Sequence, residues 1–451
     1  MPVEKQKENR MGTVKMFPMI LSMSLPAMFS MLIQALYNIV DSYFVAQVSE
    51  KAVSALSLAY PIQNLLIAFA VGTAAGVTSL ISRRLGERRR EEAESTATHG
   101  VMLSIITWLA FAVFGAFFTT PFFRMFESDP DIIRMGDQYL SICCVFSFGQ
   151  FVVTMLEKIL QGTGNMFWPM IFQLVGAIFN VIFDPILIFG WLGLPAMGVT
   201  GAAIATVGGQ ILSMVLAIIV VARHPSIKIP FKGFHFHGKI VKDIYAVGIP
   251  AIVMQAISTV MNMAINAILA AFSTAAYTVF GLYFKLRSFV FMPVLGLNQG
   301  LMPIMGYNYG ANKKKRLLQS FYQGCGIALA IMLIGVLAFM LLPRQLLGFF
   351  NPTAELLEVG IPALRIICLC FPLAALGLVS SNMYQAIGRG NYSLVMSVMR
   401  QLVVLVPVAW VLAKVTHDVG MVWWAFPIAE AVSLAVSVVF FVHLNKKELK
   451  V

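Results

Sequence analysis

The chain has 451 residues, of which 59% are hydrophobic and only 12% are charged, and its formal net charge is +12. A soluble globular domain would carry roughly 25% charged residues, so the composition excludes such a domain and indicates a helical membrane protein. The basic residues lie in short loops between apolar runs, where they favour a role in membrane orientation over nucleic-acid binding.

Apolar stretches long enough to cross a bilayer, which takes about 20 residues, recur along the whole chain. We predict twelve membrane-spanning helices, close to residues 17–46, 52–81, 97–120, 133–160, 166–190, 198–222, 241–271, 275–306, 317–342, 356–386, 392–413 and 419–444. Most lysines and arginines lie in alternate connecting segments, such as 83–90 and 313–316. The positive-inside rule makes these segments cytoplasmic. We therefore predict a multi-pass protein of the cytoplasmic (inner) membrane with both termini in the cytoplasm.

An internal repeat relates the two halves of the chain at an offset of 224 residues. The matching landmarks are Pro26 with Pro250, Gly72 with Gly296, Gly76 with Gly300, Gly86 with Gly310 and Gln161 with Gln385. Each copy holds an even number of spans, so both copies enter the membrane from the same side and the repeat is parallel. We predict an all-α polytopic fold with two six-helix lobes around a central cleft. The N-lobe would cover 1–222, a cytoplasmic connector 223–242 and the C-lobe 243–451.

The first span contains Pro26 and, further along, an acid, Asp41, one helical turn after Tyr37. An ionisable residue at membrane depth is a candidate functional residue. Span five contains a second acid, Asp184, with Asn180 one turn before it on the same helix face. Spans one and five both run outward, so the two carboxylates could meet at one depth and hold a proton or Na⁺. The alternative is that each acid is a solvated cap at the membrane surface.

Four further polar residues within apolar spans are candidates for a substrate cleft: Gln34, Glu157, Glu430 and Lys285. Glu157 precedes Lys158, and this pair of charges could instead be interfacial. Glu430 could be a counter-charge for a cation or could pair with a buried base. The candidate bases are Lys285, Arg287, Arg365 and Arg400. The sequence carries no nucleotide-binding loop or catalytic motif, so we predict neither enzyme activity nor an organic cofactor.

Four segments together resemble the multidrug and toxic compound extrusion (MATE) transporters, in particular their prokaryotic MepA-like branch. They are YNIVDSYFV (37–45), NVIFDP (180–185), GVTGAAIAT (198–206) and GLNQGLMPIMGYNYGANKKKR (296–316). The resemblance extends over nearly the whole chain. It implies a secondary multidrug efflux antiporter that exports cationic or amphipathic compounds, antibiotics included, in exchange for H⁺ or Na⁺.

The resemblance also implies a cation-coupling site in the N-lobe. Its residues would be Asp41, Asn180 and Asp184, which could hold Na⁺, with Tyr37 nearby. In some members a hydroxyl from span six contributes. Thr200 or Thr206 could supply it here, and Thr206 is the candidate that we carry forward.

In some members of the family the first helix bends at its proline, here Pro26, when the site is protonated, and the resemblance implies the same bend as an expectation here. Another branch of the family has a cation site in the C-lobe, with acids in spans seven and ten. The corresponding spans here offer Asn262, Asn266 and Arg365 instead, so a C-lobe cation site is not expected.

Two alternative functions stay open on the sequence. A flippase of the same superfamily for lipid-linked or anionic substrates would need a basic cleft, to which Lys285, Arg287 and Arg365 could contribute, but such flippases usually have two more spans. A passive channel is the other alternative, and the duplicated lobes argue against it. The partners that we expect are small hydrophobic or cationic molecules and membrane lipid, without nucleic acid, and we expect a monomer.

Overall fold

The protein is described by a computed structural model that covers residues 9–224 and 227–447, without the side chains of Asn38, Asp41, Ser42, Ala46 and Lys447. All regular secondary structure in these residues is helical. The helices are α1 (Arg10–Thr13), α2 (Met16–Ala46), α3 (Glu50–Gly86), α4 (Arg90–Phe117), α5 (Thr119–Phe126), α6 (Pro130–Val145), α7 (Phe148–Gly162), α8 (Phe167–Phe189), α9 (Val199–Arg223), α10 (Gly238–Ala270), α11 (Thr274–Gly310), α12 (Lys314–Leu341), α13 (Pro343–Gly348), α14 (Ala354–Ile367), α15 (Phe371–Ala386), α16 (Gly390–Val398), α17 (Val406–Thr416), α18 (Val419–Val422) and α19 (Ala425–Lys447). Short 3₁₀ turns lie at Trp191–Gly193 and Cys368–Cys370, and a π-helix at Met399–Leu405 joins α16 to α17.

Within the described residues, eleven helical segments are long and apolar enough to cross a membrane. A twelfth forms if α6 and α7, which meet at an angle of 43°, are one broken span. The predicted all-α polytopic fold is therefore confirmed, with spans close to the predicted ones. α3 and α11 have 37 residues each, or about 55 Å, and so extend beyond a hydrocarbon core of about 30 Å.

The repeat is reproduced in the bounds of the helices. Adding 224 to the bounds of α3 and α4 gives the bounds of α11 and α12. The helix caps match as well, since Ser49 accepts a hydrogen bond from the Ala52 amide and Ser273 accepts one from the Ala276 amide. Such caps satisfy amides that have no partner inside the helix. Each copy thus begins its second span with the same local structure.

The helices form two compact units that do not follow the two copies of the repeat. One unit contains Met1–Met28 and Val253–Val451, and the other contains Phe29–Ile252. In α2 and in α10 the boundary falls two residues after a proline, Pro26 or Pro250. The N-terminal half of α2 therefore packs with helices of the second copy, and the N-terminal half of α10 packs with helices of the first. The predicted lobes and connector follow the repeat instead and stay a prediction.

The unit Phe29–Ile252 has a core that is built around α3, α7 and α9. Val77, Leu156 and Ala217 belong to one buried cluster, and Leu66, Leu140 and Ala203 belong to another. These clusters hold the helices that carry the candidate site.

In this unit α10 packs closely against α3 at two glycines of α3, Gly72 and Gly76. A Cβ atom at Gly72 would lie 3.0 Å from the Ile252 amide nitrogen and 3.2 Å from the Gly248 carbonyl oxygen. Real Cβ atoms are rarely that close to other atoms. Glycine, which has no Cβ, therefore allows α10 to pack this closely on α3. Near the start of α10, Asp243 accepts a hydrogen bond of 3.2 Å from Arg84.

The other unit repeats this arrangement with α2 on α11. A Cβ at Gly296 would lie 2.5 Å from the Met28 Cα, and one at Gly300 would lie 2.8 Å from the Ser24 amide nitrogen. Asn308 matches Arg84 in the repeat and, like Arg84, bonds to the chain near the start of the helix that crosses it. Asn308 donates a hydrogen bond of 3.1 Å to the Met11 carbonyl, just before α2. The glycines predicted from the repeat therefore serve the same close helix packing in both copies.

Candidate functional site

The centre of the candidate site lies on α8, where Asn180 and Asp184 are one helical turn apart. Their side chains share one face because residues four apart do so in an α-helix. Asn180 is 3% exposed and Asp184 is fully buried. Pro185 follows directly and, having no amide hydrogen, leaves the carbonyl of Val181 without its helical donor. The segment thus brings a carboxylate, an amide and a backbone carbonyl without its helical donor to one place.

The amide of Asn180 connects three helices. With its NH₂ group turned to Asp184, it donates to both carboxylate oxygens, Oδ1 at 3.0 Å. Its oxygen then accepts a hydrogen bond of 3.2 Å from the Tyr37 hydroxyl on α2. The same oxygen faces the Thr206 hydroxyl at 3.3 Å and the Thr206 amide nitrogen at 3.2 Å, both on α9. This orientation gives every polar atom of the amide a suitable partner, which a buried amide requires.

The structure distinguishes the two threonines of the sequence prediction. Thr206 contacts Asn180, whereas the Thr200 hydroxyl donates a hydrogen bond of 3.3 Å to Gln138 on α6. The two residues are six positions apart on α9, about 9 Å along the helix axis. Thr206 is therefore the threonine that lies at the candidate site.

Asp41, the other predicted acid, lies one turn after Tyr37 in α2. Its side chain is outside the described residues, so its place in the site stays a prediction. Pro26 lies earlier in the same helix, and α2 continues through it as one helix.

The candidate cleft residues are not brought together with these side chains in any described contact. Gln34 is exposed on α2. Glu157 is 6% exposed on α7 and accepts a hydrogen bond of 3.1 Å from Gln173. Lys285 lines a cavity in the unit that contains α11. Glu157 is thus held inside a helix bundle and not at a solvated interface.

Glu430 pairs with one of the four candidate bases, Arg400, at 3.2 Å. Arg400 lies in the π-helix Met399–Leu405, a geometry that often marks functional or strained positions. Arg287 instead stacks its guanidinium 4.1 Å from the centre of the Phe291 ring, and Arg365 donates to the Met340 carbonyl. The sequence could not distinguish these bases, because all of them lie within apolar helices.

Gln173 is the polar residue near the predicted sites that sequence reasoning missed. It lies seven residues before Asn180 on α8 and donates to Glu157 on α7. An amide inside an apolar run was the available signal, since buried polar groups need a partner.

Comparison with known proteins places the chain among transporters. A family model described as MatE matches residues 26–186 and 250–411, one segment in each copy of the repeat. The chain is 24% identical over 441 residues to the multidrug export protein MepA of Staphylococcus aureus (strain MRSA252). This alignment covers 96% of this chain and 95% of the relative.

Solved structures of MATE proteins are also similar along nearly the whole chain. An outward-facing multidrug resistance MATE family transporter superposes with a TM-score of 0.92 at 25% identity, over 98% of this chain and 100% of the other. A MATE structure in a bent conformation superposes with a TM-score of 0.88 at 26% identity. The match covers 95% of this chain and 96% of the other.

Proposed function

The chain belongs to the MatE family of membrane transporters, and we propose that it is a secondary antiporter of the cytoplasmic membrane that exports cationic or amphipathic organic compounds in exchange for H⁺ or Na⁺. The family match spans more than half of the chain, and the similar proteins are multidrug exporters. The protein is therefore a transporter and not an enzyme.

The observation that carries the proposal is the contact of Asn180 with Asp184, Tyr37 and Thr206. Burying a carboxylate is costly unless its charge is compensated. The amide hydrogen bonds offset part of that cost, and a bound proton or Na⁺ would neutralise the carboxylate. Carboxylate and amide oxygens are also suitable Na⁺ ligands, because hard cations prefer oxygen.

Coupling then follows from competition between ion and substrate. In our proposal the ion enters from outside, binds at Asp184 together with Asp41, and favours the inward-turning state that has released its substrate. Substrate from the cytoplasm displaces the ion and reverses this bias, because a ligand shifts a conformational equilibrium by its differential affinity for the two states. Pro26 would allow α2 to bend during this change, since it removes one helical hydrogen bond.

We further propose that the protein works as a monomer with both termini in the cytoplasm. The distribution of basic loop residues supports this orientation. A flippase for lipid-linked or anionic substrates is less well supported, because all three of its candidate bases have contacts in the protein. Lys285 lies 6.0 Å from the centre of the Phe350 ring. Arg287 stacks on Phe291 and Arg365 bonds to a backbone carbonyl.

The test is efflux of a cationic dye from proteoliposomes under a pH gradient or an Na⁺ gradient, each imposed alone. We expect one gradient to drive efflux by the wild-type protein and Asp184→Asn to remove that response, because the neutral amide cannot take up a proton or balance a cation. The same gradient would identify the coupling ion.

Asp418→Asn is the matched control. Asp418 caps α18 by accepting a hydrogen bond from the Gly420 amide, and asparagine caps helices equally well. This variant loses the same charge without touching α8 and is expected to transport normally. Gradient-driven efflux by Asp184→Asn at the wild-type rate would refute the proposed coupling residue, and efflux without any gradient would favour a channel.

A further inference from the structure

A cavity of about 370 Å³ lies in the unit that contains the second copy of the repeat. It is formed by the C-terminal part of α10 and the N-terminal part of α11. Its lining includes the polar residues Asn262, Asn266, Thr278 and Lys285 and the aromatic residues Phe280 and Phe284. Small-molecule sites typically have volumes of roughly 300–1,000 Å³ and a few polar groups on aromatic walls. The cavity has both properties.

The charge of this cavity is positive. Its lining residues include Lys285 and no acid, and no ion pair found among the described residues involves Lys285. Lys285 lies eleven residues after the start of α11, or about 16 Å along the helix. A lysine so far from a helix end in a membrane protein is costly unless it faces a polar cavity or a partner. Among the described residues the Lys285 ammonium group lies 6.0 Å from the centre of the Phe350 ring, a contact that supplies no counter-charge. An anionic ligand would supply that charge.

A second observation concerns Asn262, which lines the same cavity. Its side-chain oxygen is buried and has no hydrogen-bond donor among the described residues. An unsatisfied buried acceptor of this kind destabilises the protein. Rotation of the amide toward the cavity would offer this oxygen to a ligand that carries an N–H or O–H group. The cavity thus offers a positive charge to an anion and an amide oxygen to a hydrogen-bond donor.

We propose that this cavity binds the anionic group of an amphipathic organic molecule. The anion contacts Lys285, a neighbouring donor of the ligand reaches Asn262, and its apolar part packs on Phe280 and Phe284. The ligand is either a soluble organic acid or a lipid with an anionic headgroup. The inference rests on the proposed exporter function, because it adds a class of compound to those that the protein handles.

The repeat shows that the fold does not require this charge. Subtracting 224 from 285 gives Pro61, and subtracting it from 284 gives Tyr60. The first copy therefore builds the same helix pair without a lysine at this position. A residue that one copy has and the other lacks is open to a role in ligand binding.

Two dyes with one scaffold and opposite charge test the proposal. Fluorescein is anionic and rhodamine 123 is cationic, and both are built on a xanthene with a phenyl ring. Fluorescence anisotropy of each dye is titrated with purified protein in detergent. We expect fluorescein binding to weaken about tenfold in Lys285→Gln, because a hydrogen bond to a charged group contributes about 1.5 kcal/mol. Lys285→Arg keeps the charge and is expected to bind within about threefold of wild type.

Lys414→Gln is the matched control, because it removes one exposed lysine of the same unit away from the cavity. We expect it to bind fluorescein like the wild type, and rhodamine 123 binding to be unchanged in Lys285→Gln. Equal fluorescein binding by wild type and Lys285→Gln would overturn the proposal, and so would equal losses in Lys285→Gln and Lys414→Gln. Size-exclusion profiles establish that each variant is folded.

Short-chain phosphatidylglycerol and phosphatidylcholine distinguish the two ligand sources. Displacement of fluorescein by phosphatidylglycerol alone identifies a lipid headgroup, and displacement by neither lipid identifies a soluble organic acid. Displacement by both would overturn the assignment of an anion site. Equilibrium binding requires no ion gradient, so this test can fail while gradient-driven efflux succeeds, and the reverse also holds.

Discussion

The two copies of the repeat share their packing but not their polar residues. In both copies, glycines on a long second helix receive the crossing half of the other copy's first helix. By contrast, the offset pairs Tyr37 with Met261 and Asp41 with Ile265. The segment around positions 404–409 of the second copy, which corresponds to Asn180 and Asp184, reads VLVPVA and is apolar throughout. The second copy has the ion pair of Arg400 and Glu430 instead.

This difference separates what the fold needs from what the function needs. A duplicated architecture keeps in both copies the residues that determine packing, such as Gly76 and Gly300. A polar group found in only one copy costs desolvation energy that the shared fold does not demand. We therefore interpret Asn180 and Asp184 as residues of transport. Arg400 and Glu430 also occur in one copy only, but each supplies the other's counter-charge, so we interpret them as a structural pair.

The strongest test of that interpretation is to break the ion pair. Arg400→Leu leaves Glu430 without its cationic partner, and removing one member of a buried pair typically costs about 3–5 kcal/mol. Since the Arg400 side chain is 24% exposed, we expect a loss of about 3 kcal/mol, measured by thermal unfolding in detergent.

The double variant Arg400→Leu with Glu430→Leu is the control, because replacing both partners by apolar residues is often neutral. Asp184→Asn should show the opposite behaviour, with nearly normal unfolding and no coupled efflux. A stable Arg400→Leu variant that has lost transport would contradict the structural interpretation and assign the pair a functional role.

The shared packing can be tested at matching glycines. Gly300→Ala places a methyl group 2.8 Å from the Ser24 amide nitrogen, and relieving such a clash in a packed core typically costs about 1–3 kcal/mol. We expect Gly76→Ala, which faces Ile244 in the same way, to lower the unfolding temperature to a similar extent. Gly326→Ala is the control, since no described atom beyond its chain neighbours and the backbone of its own helix lies within 4 Å of its added Cβ. A large effect in only one copy would show that the packing is not equivalent.

Much of the fold could be predicted from the sequence, because long apolar runs and one constant offset determine the number of helices and their bounds. The bend between α6 and α7 could not, since Phe146 and Ser147 carry no helix-breaking signal in an apolar run. The division of the helices into the two compact units could not be predicted either. A parallel repeat with equivalent first helices does not tell which copy the first half of α2 or of α10 packs against.

The candidate site was predictable where it depends on local geometry. Asn180 and Asp184 are four residues apart, so their shared face follows from the helix itself. The sequence did not tell which threonine contacts Asn180 or which base pairs with Glu430. Both contacts depend on how separate helices are rotated about their axes. Helix rotation is set by packing, which a single sequence does not contain.

A third prediction concerns the amide that joins α2, α8 and α9. Asn180→Ala removes the donors to Asp184 and the acceptor for Tyr37 and Thr206, and a lost hydrogen bond to a charged group costs about 1.5 kcal/mol. We expect gradient-driven efflux to fall about tenfold. We also expect a loss of stability of about 1–3 kcal/mol, because Asp184 stays buried without the donors of Asn180. Val404→Ala changes the position that the offset pairs with Asn180, and efflux should stay at the wild-type level. Equal losses in the two variants would mean that helix packing, and not the polar contact, limits transport.

The smallest expected effect lies in the loop between the second and third spans of each copy. Arg88 and Asn312 occupy matching positions and both have left-handed backbone angles, with φ of 62° and 54°. Asparagine tolerates this conformation better than arginine, because its short polar side chain can bond to the local backbone. We expect Arg88→Asn to stabilise the protein by about 0.5–1 kcal/mol and the reciprocal Asn312→Arg to destabilise it by a similar amount, both measured as shifts of the unfolding temperature. Both side chains are exposed, so loss of buried contacts contributes little to either change. Shifts of the same sign in the two variants would contradict this explanation and show that backbone conformation does not determine the residue at this position.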